Sequence, residues 1–394
     1  MTHRLEIRRQ NWLNAEECGI EAFASQQARQ TDPADYPFAS GVVNNVPVYD
    51  GEAVRAAASL PERRQALLAE WSDAMMQGPG VIVLRGAMTD LAVVDAATAR
   101  FDEIIAEQRA SGAAAADHFA KPGANDRIWN ALEKLCLRDP ELFAAYYGNA
   151  SIALVSEAWL GPAYQVTSQV NCVNPGGEAQ SPHRDYHLGF QPPAEAARYP
   201  AHVHRLSPAL TLQGAIAHCD MPVESGPTLY LPYSQGYQPG YLATGRPEFR
   251  AYFERHHVQL ALEKGDGVFF NPALFHAAGH NRSRDIRRMA NLLQVSSAFG
   301  RAMESIDRTR MSRTLYPVLR SMHASGRITE PQVDHVIAAS AEGYPFPTNL
   351  DRDPPVGGLA PESQQGLMRR ALSEAWDEAR FDDALERQAW RKLT

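Results

Sequence analysis

The chain has 394 residues, 44% hydrophobic and 21% charged, globular values that provide for a sizeable core and exclude a disordered or low-complexity protein. A formal net charge of −8 argues against general affinity for nucleic acid, which needs clustered Lys and Arg to replace counterions. The four cysteines, Cys18, Cys136, Cys172 and Cys219, have no Cys-x-x-Cys spacing, which suggests neither a disulfide framework nor a structural zinc site and reads as buried, reduced thiols.

In chain order, the opening MTHRLEIRRQNW is charged with no apolar region behind it, so a signal peptide is not expected. No stretch approaches the roughly 18 apolar residues of a membrane span, and a cytoplasmic protein without membrane contact is the expectation. Residues 1–77 read as an irregular arm, rich in turns between Thr31 and Val48, followed by a helix over 61–76 with Pro61 in its first turn and Gly78-Pro79-Gly80 behind it. Val81-Ile82-Val83-Leu84 is a buried strand. A helix over 91–109, a loop at Lys121-Pro122-Gly123 and a helix opening at Asp139-Pro140-Glu141 follow, and these helices are expected to brace one face of a sheet.

From Tyr164 to Ser297, short β-rich runs alternate with Gly and Pro turns, the pattern of a sandwich or barrel. Beyond Phe299 the pattern turns helical, over 303–322 with an interruption at Pro317, over 331–341, and over 361–390. In the last, Met368, Leu372 and Trp376 recur every four residues, an apolar stripe that would dock on the core or on a second subunit. The division is then an arm and helix over 1–77, one catalytic unit over 78–299, and a helical extension over 300–394 through which a homo-oligomer could form.

The chemistry concentrates in His183-Arg184-Asp185. In an extended strand, residues i and i+2 project to one side, so His183 and Asp185 can reach one metal while Arg184 points away. The third ligand is His276, beyond the turn Gly265-Asp266-Gly267 and the apolar run Val268-Phe269-Phe270. Two imidazoles and a carboxylate on one face leave coordination positions open, the arrangement of non-haem Fe(II) oxygenases. A second pair, His218-Cys219-Asp220, ends an apolar run and reads as a strand end with a turn-forming Asp. His187, two residues beyond Asp185, could touch substrate; the remaining histidines read as loop or surface residues.

The segments SPHRDYH (181–187), ESGPTLYLPYSQ (224–235) and GDGVFFNPALFHAAGHNRSRDIRR (265–288) resemble, in order and spacing, the phytanoyl-CoA dioxygenase family of Fe(II)/2-oxoglutarate oxygenases. The resemblance spans about the central half of the chain. It implies a double-stranded β-helix core, jelly-roll or cupin-like, within a mainly β chain with helical additions (α+β). It also implies Fe(II), 2-oxoglutarate and O2 as cofactors, with His183, Asp185 and His276 as catalytic metal ligands. The family's distal motif continues through Gly279, Asn281 and Ser283, and places the arginine that binds 2-oxoglutarate 11 residues after the histidine, at Arg287. Strand alternation alone does not separate Arg287 from Arg288, since Met289 and Ala290 suit either environment. Ser283, Gln169, Asn171, Thr211 and Gln213 are further candidates for holding the co-substrate. Two departures stand out: Ala278 replaces the family's serine two residues after the histidine, and Tyr233-Ser234-Gln235 replaces its Gly-Ser-His, altering the rim of the site.

The implied reaction is hydroxylation of an unactivated C–H bond of a small or medium organic metabolite, releasing succinate and CO2; desaturation or cyclisation would use the same ligands. Retention of Asp185 argues against the related halogenases, which replace it with a small residue to admit chloride. Two readings from other classes stay open: a zinc-type hydrolase on the same three ligands and a non-catalytic cupin-like binding module.

Overall fold

Eleven strands among the described residues carry the fold: β1 (Gly41–Val43), β2 (Val46–Asp50), β3 (Val81–Arg85), β4 (Asn125–Ile128), β5 (Gln165–Val173), β6 (Thr211–Ala217), β7 (Leu229–Leu231), β8 (Val258–Gln259), β9 (Gly267–Phe270), β10 (Phe275–Ala277) and β11 (Arg288–Ser296). The structure, a computed structural model, describes residues 4, 10–111, 123–187, 189–345 and 348–394. The expected loop residues Lys121 and Pro122, and most of the opening dodecapeptide, lie outside these. An eight-stranded sheet runs β1-β2-β3-β9-β6-β11-β5-β4, and a three-stranded sheet runs β10-β7-β8. The two face each other across an interior lined by Val81, Val83, Tyr230, Leu260, Leu262, Val268 and Phe270. This is the expected α+β chain with a double-stranded β-helix at its centre, although helices contribute more residues than the strands they flank.

Pleating sorts the large sheet into two chemistries. Along β11, Met289, Leu293 and Val295 enter the core shared with the helices, whereas Arg288, Ala290, Leu292 and Gln294 line the interior cavity. Because a strand has a period of two, antiparallel partners share a face. The pairs Gln294↔Gln213, Leu292↔Ala215 and Ala290↔Ala217 on β6, and Ala290↔Asn171 on β5, therefore extend the cavity floor sideways. The outer face is covered by the helices Pro61–Met76 and Leu91–Ala110, which supply Leu67, Trp71, Val94 and Phe101. A buried polar chain crosses this layer: His218 bonds Thr98 (2.8 Å) and Tyr146 (2.9 Å), and Asn291 donates to Tyr146 and Tyr147.

Helix bounds agree with the sequence where caps mark them. Pro61–Met76 matches, Leu91–Ala110 runs one residue further, and Asp139 caps Pro140–Tyr147 by accepting from the Leu142 amide at 3.1 Å. Three expectations are corrected. The arm is not simply irregular, because β1 and β2 join the large sheet and β2 pairs in parallel with β3. Arg308–Ala324 runs through Pro317, a residue that removes only one amide when neighbouring turns are held by packing. The last helix is two, Gln364–Ser373 and Glu378–Arg391, broken where Ala375 adopts φ +52°. Met368 and Trp376 are buried within the chain's own core, so that stripe docks internally. No helix among the described residues is long and apolar enough to cross a membrane.

Gly214 on β6 shows how tightly neighbouring strands fit, since a Cβ there would lie 2.5 Å from Phe269 Cδ1 and 2.9 Å from the Val268 carbonyl of β9. Gly214→Ala is expected to cost about 1–3 kcal/mol through overpacking, read as a lower denaturant midpoint at unchanged m-value.

Candidate metal centre

His183 and His276 come from stretches 93 positions apart and are brought together by backbone pairing. The His183 amide donates to the His276 carbonyl at 3.0 Å and the His276 amide returns the bond at 3.1 Å. Their rings lie 4.4 Å apart, centroid to centroid. Each Nδ1 sits beside a backbone carbonyl, Ser181 at 2.9 Å and Leu274 at 2.8 Å. A carbonyl only accepts, so both Nδ1 atoms carry the proton and both Nε2 lone pairs are left for a metal. Burial and the neighbouring His183 push His276 down to about 4, so its ring is neutral at physiological pH. Asp185 completes the set. Its Oδ2 is 3.8 Å from His276 Nε2, and one ligand atom from each of the three residues lies within 4.8 Å of the others.

The Asp185 carboxylate tests whether a cation belongs here. Oδ2 accepts from Gln213 Nε2 at 2.5 Å, but Oδ1 is buried with no hydrogen-bond partner. An orphaned buried carboxylate oxygen costs several kcal/mol unless a cation meets it. Three neutral-or-anionic donors around that oxygen fit a divalent metal, and Gln213 is the outer partner that fixes the carboxylate's rotation.

The centre lies at one end of a cavity of about 170 Å³ between the sheets. Val83, Ala215, Ala217, Val268, Phe270 and Leu292 make its walls apolar, and Asn171, Gln213 and Arg288 project polar groups into it. Arg288 is 7% exposed, and burial pushes its guanidinium down to about 10, still cationic at neutral pH. Among the described residues that guanidinium has no hydrogen bond or ion pair. Arg287 is different: it faces outward, half-exposed, and pairs with Asp102 of the helix Leu91–Ala110 at 3.0 Å. The arginine that lines the cavity is thus one residue beyond the expected anchor. Odd positions of β11 pack toward the helices and even ones toward the cavity, so position 288 has the cavity's parity and 287 does not.

The other candidates divide. Asn171 and Gln213 line the cavity, and the Asn171 Oδ1 is buried without a partner. Gln169, outside the lining, accepts from Arg127 at 3.0 Å. Thr211 is engaged with His187 at 2.7 Å, whose Nε2 accepts from the Arg301 amide at 2.9 Å, so neither faces the cavity. Ser283 donates to Asn281 at 2.6 Å within its own loop. His218 faces the helical layer, and burial lowers it to about 3, so the second His-x-Asp pair is structural. Ala278, at the expected serine's position, lines the cavity. Arg127, Gln180, Phe190 and Gln294, which no sequence motif marks, also line the cavity. Arg127 lies 5.2 Å over Trp129 on the short strand β4, and Phe190 meets the His183 ring edge-on at 4.7 Å; neither stands in a motif.

A comparison with curated proteins finds no match. Among solved structures, the non-haem alpha-ketoglutarate-dependent epimerase SnoN from nogalamycin biosynthesis is 20% identical, over 61% of this chain and 84% of that one, with a TM-score of 0.39. The alpha-ketoglutarate-dependent carbocyclase SnoK of the same biosynthesis is 18% identical, over 61% and 89%, with a TM-score of 0.42. The phytanoyl-CoA dioxygenase (PhyH) family model matches residues 76–289, more than half of the chain and both stretches that supply the three ligands. The chain therefore belongs to the phytanoyl-CoA dioxygenase family.

Proposed function

We propose that this protein is an Fe(II)- and 2-oxoglutarate-dependent dioxygenase that hydroxylates an unactivated C–H bond of a small or medium organic metabolite. The observation that carries this reading is one chamber with two complementary ends: three convergent metal donors and, in the same lining, a buried guanidinium with no partner among the described residues. A metal alone would require the first end. A keto acid that chelates the metal and carries a second carboxylate requires both.

When bound, iron, 2-oxoglutarate and O2 supply the oxidising power for the C–H bond, with succinate and CO2 as co-products. The chain's own groups do the rest. His183, Asp185 and His276 hold the metal from one side. Arg288 would hold the far carboxylate by a charge-assisted pair, and Asn171 offers an unpartnered amide oxygen to the same chamber. Gln213 keeps Asp185 in its ligating rotamer. Val83, Val268, Phe270 and Leu292 keep bulk water from the reacting groups, which strengthens each polar contact inside. Asp185 occupies the position at which a halide would need space, which favours hydroxylation over halogenation. The Phe190 side chain lines the chamber, and it and the segment 191–205 are where substrate choice is expected to reside. Four free cysteines, three of them buried, support the expected cytoplasmic location, where thiols stay reduced.

The test is turnover of 2-oxoglutarate in the absence of substrate, followed as succinate release and O2 uptake. Both are expected to need Fe(II) and to stop with a chelator. Metal-dependent hydrolysis without O2 uptake would replace this reading with the zinc hydrolase. Metal binding without any consumption of 2-oxoglutarate would leave a binding module.

A further inference from the structure

Arg184 lies between two metal ligands in sequence and points to the opposite side of their segment, where it is 5% exposed. Its Nη2 donates to the Ser234 carbonyl, and its guanidinium carbon is 4.9 Å from the Phe275 ring centroid and 5.4 Å from that of Tyr241. It makes no ion pair among the described residues. A cation buried without a counterion costs several kcal/mol, and an apolar side chain of equal volume would usually be cheaper. The backbone is shaped around it, because a Cβ on Gly240 would overlap the guanidinium.

What the guanidinium grips gives the arrangement its sense. Ser234 Oγ accepts the Phe275 amide at 2.7 Å and donates to the Leu231 carbonyl at 2.6 Å, so Ser234 is tied to the residue before His276. Tyr241, under the same guanidinium, donates its hydroxyl to the Asp185 carbonyl at 3.0 Å and stacks on Tyr186 at 4.1 Å. Backbone hydrogen bonds set the spacing of the two ligand stretches: the Gln180 amide donates to the Ala278 carbonyl at 2.9 Å, His183 and His276 exchange a pair, and the Asp185 amide donates to the Pro272 carbonyl at 3.0 Å. To these backbone bonds Arg184 adds a side-chain tie, running from the segment that carries Asp185 through Ser234 to β10.

We propose that Arg184 is a positioning residue for the metal centre, clamping the extended His183–Asp185 segment to Phe275 and His276 of β10 through Ser234. Ser234, which the family's Gly-Ser-His shares, lies in this clamp, whereas the two departing residues are engaged elsewhere, Tyr233 with the Thr31 hydroxyl at 2.6 Å and Gln235 with the Gly78 carbonyl at 2.8 Å. A planar fork on a long stem spans from one strand to a carbonyl behind the other, which the point charge of a lysine does not reproduce. The inference rests on the metal-centre reading.

The test uses metal-free full-length protein, titrated calorimetrically with Mn(II), alongside the visible spectrum of the Co(II) form and denaturant unfolding without metal. Arg184→Met is expected to bind Mn(II) about tenfold or more weakly, the scale of losing an outer partner of a metal site, with a changed Co(II) spectrum. Its metal-free stability should be equal to or above wild type, since a buried unpaired charge has been removed. A side chain that merely filled space would move stability instead. Charge removal without loss of position would tighten Mn(II) binding by relieving repulsion, so affinity that is unchanged or higher overturns the proposal. If Arg184→Met does not fold, Arg184→Lys decides, with the same weakened binding expected and wild-type affinity overturning the clamp. Failure of the wild-type protein to bind Mn(II) or Co(II) would instead remove the metal-centre reading itself, and the clamp with it.

Discussion

Arg288→Ala is expected to raise the 2-oxoglutarate requirement by roughly 30- to 1,000-fold, corresponding to the about 2–4 kcal/mol lost when one partner of a buried charge pair is truncated. Metal affinity in the absence of co-substrate should change little, because no ligand is touched. Arg287→Ala is the matched control. Its pair with Asp102 is exposed on both sides, at 46% and 42%, and pairs of that kind contribute at most about 1 kcal/mol. The 2-oxoglutarate dependence of Arg287→Ala should therefore overlay wild type, with at most a small fall in stability. Initial-rate titrations of succinate release for the two variants check this directly. The opposite pattern, with Arg287→Ala impaired and Arg288→Ala normal, would mean that β11 turns over by one residue when the co-substrate binds.

The displacement by one position shows where sequence reasoning ran out. Motif spacing measures distance along the chain, whereas a pleated strand decides which of two neighbours faces a cavity, and a one-residue shift reverses every side chain. Met289 and Ala290 suit either face, and the other polar residues of β11 point both ways: Gln294 has the parity of Arg288 and pairs with Gln213, whereas Asn291 has the opposite parity and meets Tyr146 and Tyr147. That His183, Asp185 and His276 come together was legible because i and i+2 of an extended segment share a face, and because the short β10 must pair with something to satisfy its backbone. Asn171 and Gln213 were legible for the same reason of alternation. Thr211 failed because its hydroxyl found His187, and Ser283 because its loop closes on itself; both depend on tertiary partners that no local pattern encodes. Arg127 belongs to a four-residue edge strand beside residues outside the described part of the chain, where propensity had little to work on. The break at Ala375 was hidden for a related reason: an apolar stripe continues across it, so periodicity predicts one helix where packing forms two.

Asp185→Ala is expected to abolish Fe(II)-dependent turnover of 2-oxoglutarate and to weaken Mn(II) binding by more than the roughly 10- to 100-fold that loss of an outer partner costs. Folding should survive. Without metal, the wild-type protein carries a buried Asp185 Oδ1 with no partner beside a second ring held neutral by burial, so removing the carboxylate takes away an unsatisfied group and leaves the sheets intact. The sign of the metal effect on stability follows. A ligand that binds only the folded state stabilises it by about 2.7 kcal/mol at a hundredfold excess over its dissociation constant, so Mn(II) should raise the wild-type melting temperature and a chelator should reverse it. Asp185→Ala should melt at or above metal-free wild type and respond to neither addition. His276→Ala should also lose the metal response but melt lower, because it removes a buried ring packed 4.8 Å from Phe270 and 4.4 Å from His183 and leaves a cavity behind. Thermal unfolding of the three proteins with Mn(II) and with chelator separates these outcomes. An Asp185→Ala protein that still gains stability from Mn(II) would move the ligand to another carboxylate.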